Sequence, residues 1–457
     1  MVKLAEGLEG YDKEVIRFLE NRGIKLFDKV RIRHRQGIAF EGIILPRPQV
    51  GDPRSLILKL DNGYNVGIKV ENIEKIEVIE KSEPSPLVRV RQPKLKPGLP
   101  YVHFVGTGGT IASRIDYKTG AVYPFFTAEE IYSMLPELED IAFVRAETLL
   151  NIFSEDMRPC LWEKIAKKVA EIFEKEKPVG VVVAHGTDTM GYTAAALGFA
   201  LRRLPGPVIL VGAQRSSDRP SSDSALNVIA ATITAIKAPF AESVVVMHGS
   251  KSDNYCLVHR GVKVRKTHTS RRDAFRSIND LPLAIVNSKG SFKILNNRFL
   301  RRSEEGSIVE AKFDEKVALI KYFPGMEGEI IDFLVDKGYH GIVIEGTGLG
   351  HVGHQLLKSI KRALGEGIAV VMTSQCIWGR VNMNVYRRGI ELLRMGVIPG
   401  EDMLPETAYV KLSWVLAKTR DIKEVRRLML TNMVFEINER SENRFYPSLV
   451  GGEAIEN

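Results

Sequence analysis

Apolar positions recur with three different periods along this chain, and each period predicts a different kind of element. Leu8 to Asn21 carries apolar residues at helical spacing. Four or five close-set segments then alternate apolar and polar positions: Lys29 to Arg33, Ala39 to Leu45, Leu56 to Leu60, Tyr64 to Lys69 and Lys75 to Ile79. Alternation predicts half-buried strands, because successive side chains of a strand point to opposite faces. Asp61-Asn62-Gly63 lies between two of these segments and predicts a hairpin, since Asn-Gly accepts the left-handed backbone of a tight turn. Strands this closely spaced predict a small SH3-like β-barrel. Lys81 to Pro100 breaks the pattern with Pro84, Pro86, Pro93, Pro97 and Pro100, and predicts a semi-rigid linker.

From Tyr101 onward the strand-like runs become continuously apolar, as buried parallel strands require. Tyr101 to Val105, Val179 to Ala184, Val208 to Val211 and Val244 to Met247 alternate with helical patterns over Cys160 to Glu174, Ala194 to Leu204 and Ser224 to Ile236. This βαβ rhythm predicts a doubly wound parallel sheet. A smaller set follows Glu310 to Phe313, with strands Val317 to Tyr322, Gly341 to Glu345 and Ala369 to Thr373 and helices between and after them. The expected organisation is a helix and barrel over 1–80, a linker over 81–100, one α/β domain over 101–305, a second over 306–440 and a tail over 441–457.

Composition narrows the classes. The chain has 457 residues, enough for two or three domains, and 44% hydrophobic residues, enough for full cores. It holds no apolar run of 18 residues, and charges interrupt Leu4 to Arg17, so neither a membrane span nor a secretory leader is expected; a cytoplasmic location is. Cys160, Cys256 and Cys376 are odd in number and scattered, against a disulfide framework or a structural zinc site. His351 and His354 lack a third ligand, so no metal site is expected. The net charge of +9 favours a polyanionic partner. Six glutamines among many Lys and Glu fit a high-temperature organism.

Two threonine-bearing turns carry the candidate chemistry. Gly106-Thr107-Gly108-Gly109-Thr110-Ile111-Ala112 leaves the first continuous strand, and His185-Gly186-Thr187-Asp188-Thr189-Met190 leaves the second. Ligands of open α/β sheets bind at that carboxyl edge. A threonine hydroxyl becomes a nucleophile only with a group to take its proton, which a lysine can be. Glycines beside it let backbone N–H donors approach a developing oxyanion. Asp188 could bind a substrate ammonium or cap the helix starting near Met190. The basic residues Arg260, Lys263, Arg265, Arg271, Arg272 and Arg276 read as a solvated or RNA-facing surface; Lys266, in Lys266-Thr267-His268-Thr269, stands apart from them.

Thr110, Thr187-Asp188 and Lys266, in this order, resemble the bacterial-type L-asparaginase/glutaminase family. Asn151 to Met157 resembles that family's substrate-binding segment, and Thr373-Ser374-Gln375-Cys376 with Gly396 to Gly400 resembles its C-terminal domain. The resemblance covers about Leu99 to Glu436. It implies an asparaginase-like two-domain parallel-sheet α/β fold behind the small SH3-like β-barrel, with Thr110 as nucleophile and Tyr123 helping to activate it; Tyr117 lies on the same segment. It implies that Lys266 tunes Thr187, that Asp188 holds the substrate amine, that Ser154 contacts the α-carboxylate, and that Glu155 stands at the amino group. Gly109 and Gly186 line the substrate. Arg114 to Phe126 reads as a lid.

The barrel and basic linker ahead of the catalytic part resemble the ammonia-releasing subunits of archaeal glutamyl-tRNA(Gln) amidotransferases. That resemblance implies glutamine or asparagine as amide donor. It also implies a partner, the amidotransferase's E-subunit, that binds Glu-tRNA(Gln) and uses ATP and Mg. It implies no cofactor in this subunit and a homodimer within a heterotetramer. No Gly-x-x-x-x-Gly-Lys-Ser/Thr motif occurs in the chain, which agrees with ATP being used elsewhere. The competing expectation is a free-standing asparaginase or glutaminase with an added N-terminal domain.

Overall fold

The computed structural model describes residues 8, 10–47, 52–60, 65–81, 96–108, 113–115, 122–124, 127–215, 222–287 and 289–446, with 113–115 and 122–124 placed as backbone. The first helix, α1 (Lys13–Glu20), is shorter than the periodicity predicts. Gly10 has a φ of +104°, which no right-handed helix accommodates, and the Asp12 side chain caps the helix by accepting from the Glu14 N–H at 2.9 Å. Five antiparallel strands follow: β1 (Lys29–His34), β2 (Ala39–Ile44), β3 (Ser55–Leu60), β4 (Asn65–Lys69) and β5 (Ile73–Glu80). They pair in the order β4-β3-β2-β1-β5. Alternate residues such as Val30, Ile32, Leu56 and Leu58 point inward onto Val15 and Leu19 of α1. Lys59 pairs with Asn65, so β3 and β4 form the expected hairpin, although its turn residues Asp61 to Gly63 lie outside the described residues. Most of the predicted linker does too.

The α/β part opens with β6 (Tyr101–Gly106), a short antiparallel pair β7 (Ser113–Ile115) and β8 (Val122–Pro124), α2 (Ala128–Met134) and β9 (Phe143–Thr148). Next come α3 (Pro159–Lys175), β10 (Gly180–Ala184), α4 (Met190–Ala200), the two-residue β11 (Leu201–Arg202), β12 (Val208–Val211), α5 (Ser224–Lys237) and β13 (Ser243–His248). The remaining strands of this part are β14 (Cys256–Arg260), β15 (Val264–Lys266), β16 (Phe275–Ser277), β17 (Ala284–Val286) and β18 (Phe292–Ile294). The main sheet runs β18-β17-β14-β13-β12-β10-β6-β9. Its strands from β13 to β9 are parallel, as expected, but β14, β17 and β18 run antiparallel to their neighbours. Connection length accounts for β14 and β18, since residues 287–291 alone join β17 to β18, whereas residues 261–283 between β14 and β17 are long enough for a crossover. Only residues 249–255 join β13 to β14, and a parallel return needs a crossover of a dozen residues or more.

A second correction concerns α4, predicted over Ala194 to Leu204. It begins at Met190, straight after the second threonine turn, and ends at Ala200. Leu201 and Arg202 pair with β19 (Ile308–Val309) instead, and Arg203 takes a left-handed φ of +52° that ends any helix. The helix is apolar on every side because it lies between the main sheet and a helix of the second unit.

That second unit holds β20 (Val317–Lys321), α6 (Glu329–Asp336), β21 (Gly341–Gly346), α7 (Leu357–Gly365), β22 (Ala369–Ser374), α8 (Arg387–Met395), the unpredicted two-residue β23 (Ile398–Pro399), α9 (Pro405–Leu416) and α10 (Ile422–Leu430). Its four strands are parallel in chain order. Val105, Val181 and Val183 of the main sheet, Ala194 to Leu197 of α4 and Leu412 to Leu416 of α9 belong to one continuous buried core. The two α/β units are therefore joined by apolar packing. None of the helices among the described residues is long and apolar enough to cross a membrane.

Candidate active site

From β6 the chain passes to β9 on one side of the sheet and then to β10 on the other. The strand order reverses between β6 and β10, which makes a crevice at their carboxyl ends the place where such sheets bind ligands. Gly106 and Ala184 are paired there, so the two threonine turns leave the sheet side by side. Thr107 fastens them together, its hydroxyl donating to the Ala184 carbonyl at 2.8 Å and its N–H to the same carbonyl at 3.0 Å.

Glycine is required at two points of this crevice. Gly108 has a φ of +111°, and a Cβ on it would lie 2.1 Å from the Ile152 carbonyl oxygen. A Cβ on Gly186 would lie 2.7 Å from the Ser154 Cβ and 2.8 Å from its Oγ. The absence of these side chains lets the segment over residues 151–157 close on both turns. Ser154 is buried against Gly186, its carbonyl accepting from the Thr189 hydroxyl at 2.6 Å. Its Oγ is 3.5 Å from the carboxylate of the exposed Glu155. Thr189 belongs to the motif read from the sequence but had no role assigned there; its hydroxyl holds Ser154 in place.

Lys266 reaches the second turn from β15. Its Nζ lies 2.9 Å from the Thr187 Oγ1 and 2.9 Å from Asp188 Oδ1. Thr187 is buried, whereas the Asp188 side chain is 68% exposed and free to meet a ligand while it holds the lysine. Asp188 does not cap α4: the N-cap position belongs to Thr189, with no side-chain cap bond. Thr187, Asp188, Lys266, Gly186 and Ser154 are thus brought together, with Glu155 beside them. Gly109, Thr110 and Tyr117 lie outside the described residues, as does most of the predicted lid, and Tyr123 is placed on β8 as backbone.

His185 sits under this turn in a chain of hydrogen bonds. The Trp162 indole donates to Thr193 Oγ1 at 3.2 Å, the Thr193 hydroxyl to His185 Nε2 at 2.9 Å, and His185 Nδ1 to the Gly186 carbonyl at 2.7 Å. Burial pushes its pKa down to about 4. A neutral ring with both nitrogens engaged supports the backbone of the turn and does not serve as a base.

The basic cluster proves not to be an open cationic face. Arg260 is buried between Glu242 at 2.5 Å and Asp280 at 3.0 Å, and Lys263 is buried 2.7 Å from Asp402. Arg265 pairs with Glu406, Arg271 and Arg276 with Asp273, and Arg272 with Asp253. Acids distant in sequence supply most of these partners, so a count of local charges could not reveal them. Among the described residues His103, Glu147 and Glu176 group potential metal donors. Lys168 already lies 3.0 Å from Glu147, and Arg145 lies 3.2 Å from Glu176. The donor chemistry is that of a closed ion network.

Known proteins share this architecture. A family model described as "Asparaginase, N-terminal" matches residues 101–299, "Glutaminase/Asparaginase C-terminal domain" matches 316–429, and "GatD N-terminal domain" matches 24–79. A curated protein of Thermofilum pendens, named as the D-subunit of glutamyl-tRNA(Gln) amidotransferase, is 55% identical over 449 residues, covering 96% of this chain and 99% of its own. One of the same name from Pyrococcus furiosus is 57% identical over 425 residues, covering 92% and 96%. Among solved structures, the thermostable L-asparaginase from Thermococcus kodakarensis matches with a TM-score of 0.67 at 31% identity, covering 74% of this chain and 100% of that one.

Proposed function

The chain belongs to the D-subunit family of glutamyl-tRNA(Gln) amidotransferases, and from that footing we infer that it is the amidohydrolase subunit of a tRNA-dependent amidotransferase. The observation that carries this reading is the convergence of Lys266 on Thr187 and Asp188 at the switch point of the sheet. A free-standing asparaginase is not favoured, because the GatD N-terminal domain match at 24–79 lies outside both asparaginase matches.

In this reading the chain takes the side-chain amide of glutamine or asparagine. The Thr110 hydroxyl, activated with the help of Tyr123, adds to the amide carbon. The carbon–nitrogen bond breaks, the nitrogen leaves with the proton as ammonia, and water then cleaves the Thr110 ester to release the acid. The N–H groups around Gly109 stabilise the oxyanion. Thr187 and Lys266 form the second hydroxyl–lysine group, Asp188 and Glu155 hold the substrate ammonium, and Ser154 holds its carboxylate. The partner E-subunit holds Glu-tRNA(Gln), consumes ATP with Mg, and places the ammonia on the activated glutamyl group. The chain itself needs no cofactor. It works in the cytoplasm as a homodimer within a heterotetramer.

The test is ammonia release from glutamine by the full chain, alone and then with the partner subunit, Glu-tRNA(Gln) and ATP. Strong stimulation is expected; turnover indifferent to all three would make it an ordinary amidase. Thr110→Ala is expected to abolish release in the complex, and full activity in that variant would remove Thr110 from the nucleophile's role.

A further inference from the structure

Lys266 belongs to the two-stranded ribbon β15–β16, outside the main sheet, so the ladder that orders the rest of the site does not order it. The main sheet meets this ribbon through His259 Nδ1, 2.9 Å from Ser277 Oγ, and the second α/β unit holds its other side. The turn before α9 and the first turn of α9 grip the approach to Lys266 at three points. Lys263 Nζ donates to Asp402 Oδ2 at 2.7 Å, the Thr407 hydroxyl donates to the Val262 carbonyl at 2.9 Å, and Arg265 Nε lies 3.0 Å from Glu406 Oε1.

Successive residues of a strand face opposite ways. Arg265 turns toward the second unit while Lys266 turns toward Thr187 and Asp188. Tying the one therefore sets the direction of the other. The pair is set in a polar seam between α4, α9 and β21. Burial pushes the Glu345 carboxyl up and Glu406 adds to that, while Lys321 and Arg265 oppose it. Tyr192 feels Glu406, Glu345 and Arg265 together. Among the described residues Glu406 Oε2 is buried without a hydrogen-bond partner, and Arg265 lies against the other carboxylate oxygen and compensates the charge.

We propose that Glu406 is a positioning residue for amide hydrolysis: through Arg265 it fixes the roll of β15 and so aims Lys266 at Thr187 and Asp188. This rests on the reading of those three residues as catalytic. Glu406 touches no reacting atom; it acts through its neighbour.

Glu406→Gln in the full chain with its partner subunit is expected to lower kcat for glutamine hydrolysis about tenfold, as sub-ångström misplacement does, with KM within about twofold. It leaves Arg265 uncompensated next to Lys266, and an added positive charge disfavours a protonated lysine. The acid limb of the kcat profile therefore moves to lower pH, which loss of folded protein alone does not do. Arg265→Gln removes that cation and leaves the Glu406 carboxylate, so its acid limb should move the other way, to higher pH, and Arg265→Lys, which keeps a cation for Glu406, should retain more activity than Arg265→Gln. The double variant E406Q/R265Q should cost no more than the worse single variant. Wild-type kcat and pH profile in Glu406→Gln, or losses that add in the double variant, overturn the proposal. Lys266→Met separates the two layers: full turnover in that variant overturns the reading of the site itself. Its loss, together with an unchanged Glu406→Gln, overturns only the role of Glu406.

Discussion

Gly186 leaves no room for a side chain beside Ser154. Gly186→Ala drives a methyl into Ser154, whose side chain must move because the added Cβ would lie 2.7 Å away. We expect KM for the amide donor to rise about tenfold or more while the melting temperature changes little, since the clash is with one side chain at a crevice; steady-state kinetics beside a thermal melt checks both. His185 makes a pH prediction. Its folded pKa of about 4 lies below the unfolded value near ~6.5, so the unfolded chain takes up the proton first. The stability given by the neutral ring is present above about pH 6.5 and is lost as the pH falls toward 4, by roughly 3 kcal/mol. Urea titrations from pH 7 to 4 should show this slope, reduced in His185→Asn; equal slopes would mean that other groups set the acid limit. Single residues were legible unevenly. The glycines and threonines announced themselves by their place after apolar strands. That Lys266 meets Thr187 came only from resemblance, because nothing in the spacing of residues 79 apart encodes a contact.

Elements were located well by periodicity and oriented poorly by it. The apolar runs of β6, β10, β12 and β13 fall where predicted, because burial on both faces writes itself into composition. Direction is different: the antiparallel turns into β14 and β18 follow from short connections, a signal present in the turn-rich residues 249–254 but invisible to a count of hydrophobic positions, whereas β17 reaches β14 across the longer residues 261–283. The C-terminal boundary of α4 failed because that end is set by β11 pairing with β19 and by the left-handed Arg203, neither visible in the apolar pattern. The join between elements also carries charge. Lys263 is fully buried and burial pushes its pKa down, with Asp402 opposing that shift. Asp402→Asn removes the compensating charge and should destabilise the chain by about 3–5 kcal/mol, measured by denaturant unfolding. K263M/D402N should lose less than Asp402→Asn alone, since no charge is then stranded.

At the scale of the molecule, the net charge of +9 points misleadingly toward Arg271 to Arg276. Arg271, Arg272 and Arg276 have carboxylate partners, which leaves fewer charges to release counterions from nucleic acid. R271Q/R276Q should therefore change tRNA affinity of the full complex by less than about twofold and leave the salt dependence of binding unaltered; a slope reduced by about one or more would place this stretch on phosphates. The domain order was legible because each part has its own period, whereas the seam between the two α/β units was not, since it joins side chains that no local pattern relates. That seam has a consequence for the timing of synthesis. Asp402 lies 139 positions after the Lys263 it grips, so a ribosome that has already delivered both threonine turns and Lys266 still has over a hundred codons to read. At about 5–20 residues per second the nascent chain spends several seconds or more with its lysine unanchored. On the proposed reading of the site, the catalytic lysine is therefore fixed in place only once Asp402 and Glu406 have been made.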